Sequence, residues 1–521
     1  MPEADRGAAL FSLSDKTGAV ELASALHERG TVIYATGGTR AFLHERGVPA
    51  RDVGDVTGFP ALFGGRVKTL HPKIFGGILY DRSDEAHCEQ AQTYAIPAIG
   101  VVAVNLYPFE STVAREGTAL AEAIEQIDIG GVSLLRAAAK NFEHVSVLTH
   151  PSQYAPFLAA WRADAIPAAL RRKLAVAAFE RTAEYDVAIS HYLATSGEVL
   201  PGDLPGALAL TLPLAQRLRY GTNPQERAAF YLDRGDRLPA QLHGKALSYN
   251  NLLDLDATLR LLARAPVGTE IEGGRARVRA AVVKHTIPCG VAERPSVGRA
   301  VGDALASDPI SAYGGIVAAD ATVDLAAAAE LGKFFLEIVA APDFEDDALS
   351  LLRKKKNLRI MRFAPSLPDE LSRELRVRSA LGGVLAEDND PSAREERWRV
   401  VSRRAPSPGQ WRDLAFAWDV VRHVKSNGIV IVKDGVTRGI CAGQTNRVSA
   451  VAIAAGRAAI SGGACASDGF FPFADGLEAA AAGGCSAVIA PEGSVRDAEV
   501  IAAADRLDVA LVFSNHRYFL H

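Results

Sequence analysis

No cysteine of this 521-residue chain belongs to a Cys-x-x-Cys pair. The five present, Cys88, Cys289, Cys441, Cys465 and Cys485, are widely spread and odd in number, which points to a reducing cytoplasm and no structural zinc. No apolar run approaches the roughly 20 residues that a membrane span needs. The first residues lack the charged start, apolar core and small-residue cleavage site of a secretory signal. Neither charge is in large excess: 57 Lys and Arg against 61 Asp and Glu leave a formal -4, without the broad basic face that nucleic acid demands. Any anion must be held by local clusters. With 48% hydrophobic and 23% charged residues, no fibrous or disordered class fits, and the length implies two to four domains of roughly 100 to 200 residues.

What is there begins with alternation. Between residues 8 and 150, β-branched runs such as Thr31-Val32-Ile33-Tyr34-Ala35, Val101-Val102-Ala103-Val104-Asn105 and Val145-Ser146-Val147-Leu148-Thr149 alternate with helical stretches, as in a parallel α/β layer. Two strand-to-helix junctions carry hydroxyls and glycines, Ser12-Leu13-Ser14-Asp15-Lys16-Thr17-Gly18 and Ala35-Thr36-Gly37-Gly38-Thr39. Each reads either as a plain N-cap or as a phosphate cradle of free N–H groups at a helix start. Gly64-Gly65-Arg66-Val67-Lys68-Thr69-Leu70-His71-Pro72 adds two cations, a hydroxyl and an imidazole on glycine-rich backbone. Arg66 suits a bidentate grip on phosphate or carboxylate, and Lys68 is a compact point charge. Tyr107, in Asn105-Leu106-Tyr107-Pro108-Phe109, leaves a strand end and either relays a proton or packs with a satisfied hydroxyl. Asp128 and Lys140 bracket a helix; they converge with Lys68, or they are an ordinary cap and an exposed lysine.

The stretch from Ala194 to Pro213, rich in Gly and Pro, breaks both periodicities and marks a domain boundary. A second α/β region starts at Leu218, with strand candidates at Ala280–Val283, Ile429–Val432, Ala487–Ala490 and Val509–Phe513, and its two mixed layers could be distant duplicates. Lys284-His285 follows an apolar strand, as a proton shuttle beside an oxyanion stabiliser or as structural side chains. Pro288-Cys289 hints at a zinc deaminase, but neither His-x-Glu nor Pro-Cys-x-x-Cys is completed. Ser311-Ala312-Tyr313-Gly314-Gly315, Lys425-Ser426-Asn427 and Cys441-Ala442-Gly443-Gln444-Thr445-Asn446-Arg447 are small polar loops, each a ligand grip or a tight turn.

Taken in order, SDKTG at 14–18, GGRVKTLHP at 64–72, NLYPF at 105–109, QIDIGG at 126–131, LLRAAAKN at 134–141, LRYGTNPQ at 218–225, SDGFFPF at 467–473 and HRYF at 516–519 closely resemble the bifunctional purine-biosynthesis family that joins AICAR transformylase to IMP cyclohydrolase. The likeness covers nearly the whole chain. It implies an α/β fold: an N-terminal methylglyoxal-synthase-like parallel-sheet domain (1–196), a linker (197–217), and a transformylase region (218–521). That region would hold two cytidine-deaminase-like α/β subdomains without zinc, divided near 365–400. The resemblance sets Ser12, Ser14, Lys16, Thr36, Gly37, Gly38 and Thr39 around a nucleotide phosphate, and Arg66, Lys68, Thr69, Tyr107, Asp128 and Lys140 around the base. Lys68 or Lys140 would stabilise an oxyanion, with Tyr107 and Asp128 moving protons as FAICAR closes to IMP. Lys284, His285 and Asn427 would carry formyl transfer from 10-formyltetrahydrofolate, a co-substrate, to AICAR, with no catalytic metal. Arg219, Tyr220, Ser311, Tyr313, Gly314, Gly315, Asp343, Gln444, Arg447, Arg517 and Phe519 would bind substrate. The family implies a cytoplasmic homodimer with transformylase sites built across the interface.

Three positions depart from the family pattern: Tyr313 stands where phenylalanine is usual, Gly469 where alanine is common, and Glu492 inside a turn where glycine is frequent. The last places that turn's dihedral in question, because non-glycine residues resist positive φ. Two rival readings are a noncatalytic purine-nucleotide sensor and an enzyme with only one active half. The full set of acid, base and cationic groups argues against the sensor.

Overall fold

A computed structural model of the protein describes residues 7–60, 62–115, 117–195, 204, 206–232, 237–264, 277–388, 396–458 and 460–521. The chain forms two compact units, Met1–Thr211 and Leu212–His521. Part of the expected linker, 197–203 and 205, lies outside the described residues, as do 389–395 in the expected subdomain boundary.

The first unit is built on a five-stranded sheet: β1 (Ala8–Leu13), β2 (Val32–Ala35), β3 (Arg51–Asp52), β4 (Ile99–Asn105) and β5 (Ser146–Leu148). The order is β3-β2-β1-β4-β5, every neighbouring pair parallel. Strands β1 and β4 are almost wholly buried, with Leu10, Phe11, Val102 and Val104 fully so, as continuous apolar runs require when helices cover both faces. The chain leaves β1 toward β2 on one side and later returns to β4 on the other. That reversal opens a crevice beyond the carboxyl ends of β1 and β4, where open parallel sheets place ligands.

The second unit carries a twelve-stranded sheet among the described residues, and its two halves repeat one plan. In the first half, Val278–Lys284 and Ile287–Arg294 form an antiparallel hairpin. Ile316–Ala319 pairs antiparallel with the hairpin's outer strand, Ile338–Ala341 and Arg359–Arg362 follow in parallel, and Ala240–His243 closes the edge antiparallel. In the second half the same positions are taken by Ile429–Lys433 with Val436–Cys441, then Gly463–Ser467, Cys485–Pro491, Ala510–Ser514 and the antiparallel edge Trp398–Val400. The helix preceding each hairpin starts with a capping box, Ser248 with Asn251 and Ser407 with Gln410. The halves join where Ile287–Arg294 meets Val436–Cys441, through the single register pair Ala292 and Val436. One core spans both, with Leu255, Val283 and Val291 packed in the same cluster as Trp418, Val430 and Val512.

Among the described residues no helix is long and apolar enough to cross a membrane. At the Glu492 turn, the positive φ of 114° falls on Gly493 instead, while Glu492 pairs with Arg399 at 2.7 Å.

Candidate functional site

At the carboxyl end of the first unit's sheet, a cleft of about 450 Å³ gathers Ser12, Arg66, Lys68, Thr69, Tyr107 and Asp128. Asn105, the last residue of β4, fastens the loop after β1: its carboxamide oxygen accepts from the backbone of Ser14 at 2.6 Å and Asp15 at 2.9 Å, and its Nδ2 donates to the Asp15 carbonyl at 2.7 Å. Thr36 precedes the helix Gly37–His44 without capping it; its hydroxyl turns to Ser12 Oγ at 3.3 Å. That leaves the helix-start N–H groups uncapped by Thr36, and Gly37 and Gly38 face open space. Thr39 is committed to the sheet, with its hydroxyl accepting from Leu13 N at 3.0 Å.

Asp128 caps the helix Ile129–Lys140 by accepting from Gly131 N at 2.7 Å. Two glycines follow because neither place has room for a side chain. A Cβ on Gly131 would run into the Asp128 carboxylate, and one on Gly130 would crowd the Thr69 hydroxyl. Behind them Tyr185, fully buried, accepts from Asp128 N at 2.9 Å and donates to the Gln126 carbonyl at 2.6 Å. Burial pushes the Asp128 carboxyl above its ordinary range, against the pull of backbone N–H groups and Lys68. Burial likewise raises the Tyr107 phenol, and the Asp128 charge adds to the effect. Arg66 is ion-paired with Glu125, which also lines the cleft. Lys140 does not join this group. It is exposed at the last turn of the helix that Asp128 begins, about 18 Å away at 1.5 Å per residue.

In the second unit, a cleft of about 810 Å³ opens over the seam, since the joining strands pair at Ala292 and Val436 and the cleft follows them toward Ile287 and Cys441. It is lined by Lys284, His285, Ser311 and Gln444, together with Arg438 and Arg457. Lys284 donates to the Tyr313 carbonyl at 2.7 Å, which ties it to the loop ending in Gly314 (φ 77°) and Gly315. His285 is exposed to the cleft. The Cys289 thiol in the wall is pushed up to about 12 by burial, which leaves it protonated rather than nucleophilic.

Asn427 donates its Nδ2 to the Gln444 carbonyl at 2.7 Å. Nearby, Arg447 is buried against Ser467 Oγ (2.8 Å) and Asp468 Oδ1 (2.5 Å). A Cβ on Gly469 would crowd both Arg447 and the Phe519 ring, so the glycine lets these two meet. Arg517 lies over Phe519 at 4.9 Å. Glu396 anchors this C-terminal segment: its carboxylate accepts from Trp398, Trp418, Ser514 and Tyr518 at 2.6 to 2.8 Å.

Arg219 and Tyr220 stack on each other, and neither lines the cleft. Asp343 is not brought to Lys284 either. It follows Ile338–Ala341, whose far end lies level with the start of Val278–Lys284, and it faces Arg362 at 3.9 Å. Two carboxylates lie near the 311–315 loop: Asp308 lines the cleft and accepts from Ser311 N at 2.9 Å and Ser311 Oγ at 2.6 Å, while Glu337 donates its N–H to the Gly315 carbonyl at 3.0 Å and turns its side chain to buried Arg359 at 2.6 Å. Asp308, Arg438, Arg457 and Glu337 escaped the sequence reading because each lies in or beside a strand or helix without a motif of its own. Among the described residues no group of three or more His, Cys, Asp and Glu is placed to hold a metal.

Two clefts, each holding cations beside a side chain able to exchange a proton, fit an α/β enzyme that acts on anionic substrates. The description AICARFT/IMPCHase bienzyme matches residues 138–457, an MGS-like domain matches residues 18–133, and the chain belongs to the AICARFT/IMPCHase bienzyme family. Among its relatives, the bifunctional purine biosynthesis protein PurH of Chloroflexus aurantiacus is 48% identical over 520 residues, 98% of each chain. That of Synechococcus sp. (strain CC9311) is 48% identical over 531 residues, 98% of this chain and 99% of the relative. The protein is thus a bifunctional AICAR formyltransferase and IMP cyclohydrolase of the last two steps of IMP synthesis, with a formyl folate as co-substrate.

Proposed function

We propose that the Met1–Thr211 unit closes FAICAR to IMP and that the Leu212–His521 unit transfers the formyl group from 10-formyltetrahydrofolate to AICAR, in a cytoplasmic homodimer. One observation carries this reading: Lys68, Tyr107 and Asp128 share a cleft of the first unit, while Lys284 and His285 share a cleft of the second. In the first, Ser12, Ser14, Lys16 and the helix start at Thr36 to Gly38 hold the phosphate. Arg66 exchanges Glu125 for the ligand. The carboxamide nitrogen attacks the formyl carbon, and the formyl oxygen leaves as water with one proton from that nitrogen and one from the formamido nitrogen. Lys68 stabilises the oxyanion, and Tyr107 and Asp128 move the protons. Alignment of the two groups supplies about 7 to 11 kcal/mol at best.

In the second, the AICAR amine attacks the formyl carbon. The ammonium of Lys284 spends one N–H on Tyr313 and keeps two for the oxyanion, with Asn427 assisting. His285 takes the amine proton, and the bond to folate N10 breaks as N10 gains a proton. Each developing charge has a side-chain partner, so the reading calls on no catalytic metal. Val377, Leu381, Val384 and Leu385, exposed on a two-stranded hairpin, support a face for a second copy. The test supplies AICAR and 10-formyltetrahydrofolate and follows tetrahydrofolate release and IMP separately. Both signals are expected; tetrahydrofolate without IMP would mean that the first unit is inactive, and neither signal with AICAR still bound would leave a sensor.

A further inference from the structure

The duplicated halves of the second unit fold the same hairpin turn against the same aspartate. Six residues after the capping serines, Asp254 and Asp413 each aim a carboxylate at the two-residue loop of the following hairpin. Asp413 accepts from Asp434 N at 2.9 Å and Gly435 N at 2.8 Å. Those residues have φ of 53° and 70°, and Asp-Gly is a pair that such a turn favours. Asp254 accepts from His285 N at 3.3 Å and Thr286 N at 2.7 Å, where φ is 56° and 60°. Here no glycine eases the turn, and a β-branched threonine is a poor occupant of positive φ. Asp254 does not line the cleft; the imidazole it holds by the backbone does.

We propose that Asp254 is a positioning residue for formyl transfer: its carboxylate keeps the His285-Thr286 turn left-handed and so presents the imidazole to the substrate. The inference rests on the reading of His285 given above. Without both acceptor oxygens, Thr286 relaxes toward negative φ and the hairpin tip shifts, taking His285 with it. The second half needs its carboxylate less, because Gly435 adopts the turn unaided.

The experiment compares steady-state formyl transfer in full-length Asp254→Asn, Asp413→Asn, Asp254→Asn/Thr286→Gly and His285→Ala. Asp254→Asn loses one acceptor, and kcat is expected to fall about 100-fold with KM for AICAR within about threefold, the cost of a misplaced base rather than of lost binding. Adding Thr286→Gly should restore kcat about tenfold, since glycine takes the turn without the clamp. Asp413→Asn should stay within about twofold of the parent, because its turn carries no imidazole. Parental kcat in Asp254→Asn, a loss that Thr286→Gly leaves unrepaired, or an equal loss in Asp413→Asn would each overturn the inference. His285→Ala separates the two levels. If it keeps formyl transfer, the reading of His285 falls; if it loses transfer while Asp254→Asn keeps it, only the role of Asp254 falls.

Discussion

Lys284 and Lys433 close corresponding strands in the two halves of the second unit, and each donates to a carbonyl of the glycine-containing loop opposite, Tyr313 at 2.7 Å and Gly462 at 3.1 Å. Gly290 and Gly439 sit in corresponding strands, and a Cβ on either would strike a carbonyl of the next helix, that of Ala304 or Ala454. Lysine, glycines and clamping aspartate all recur, so they belong to the architecture. What does not recur is the sequence of the turn: His285-Thr286 in one half, Asp434-Gly435 in the other. A left-handed conformation costs a non-glycine residue roughly 1–2 kcal/mol. The molecule tolerates that cost in the half whose turn faces the cleft and avoids part of it in the half whose turn does not, as expected where strain serves a site.

The comparison can be broken first at the imidazole. His285→Ala should lower formyl transfer by about 10²–10⁴-fold while cyclisation of FAICAR is retained, and equal loss of both would erase the division of labour between units. The reciprocal variant, Asp128→Asn, keeps a competent helix cap and should lower cyclisation about 100-fold with formyl transfer retained, read in the same two assays. Gly290→Ala and Gly439→Ala should each cost about 1–3 kcal/mol in denaturant unfolding; clearly unequal costs would mean that the two strands are not equivalent. The smallest effect is the sharpest for the turn: Thr286→Gly should raise stability by about 1 kcal/mol and Gly435→Thr lower it by a similar amount, measured as shifts of the unfolding midpoint.

Much of the strand framework was legible, because buried strands in such sheets are apolar throughout. Ala280–Val283 lies within Val278–Lys284, and Ala487–Ala490 within Cys485–Pro491. Lys68, Tyr107 and Asp128 were legible as chemistry, and the fold brings them into one cleft. Lys140, which the resemblance sets beside them, is placed apart from that cleft, since twelve helical residues carry it to the opposite end of the helix. Asp343 and Glu337 flank one short strand, and only the parallel pairing of Ile338–Ala341 with Ile316–Ala319 tells which of them lies on the side of Lys284. In the sequence the duplication shows only as two mixed layers and as the two cytidine-deaminase-like subdomains that the resemblance implies. Its evidence is a handful of single residues whose equivalence emerges from hydrogen bonds, not from any run of similar sequence.

The seam over which the second cleft opens also has a kinetic meaning. One wall belongs to Ile287–Arg294 and the other to Val436–Cys441, far later in the chain. Closing so long a loop is slow compared with forming either hairpin, whose strands are neighbours in sequence. Each half can therefore organise its own turn, strained or relaxed, before the cleft exists. Lys284 and His285 have their wall of arginines only when both halves are in place, so the site depends on the most sequence-distant pairing of the sheet.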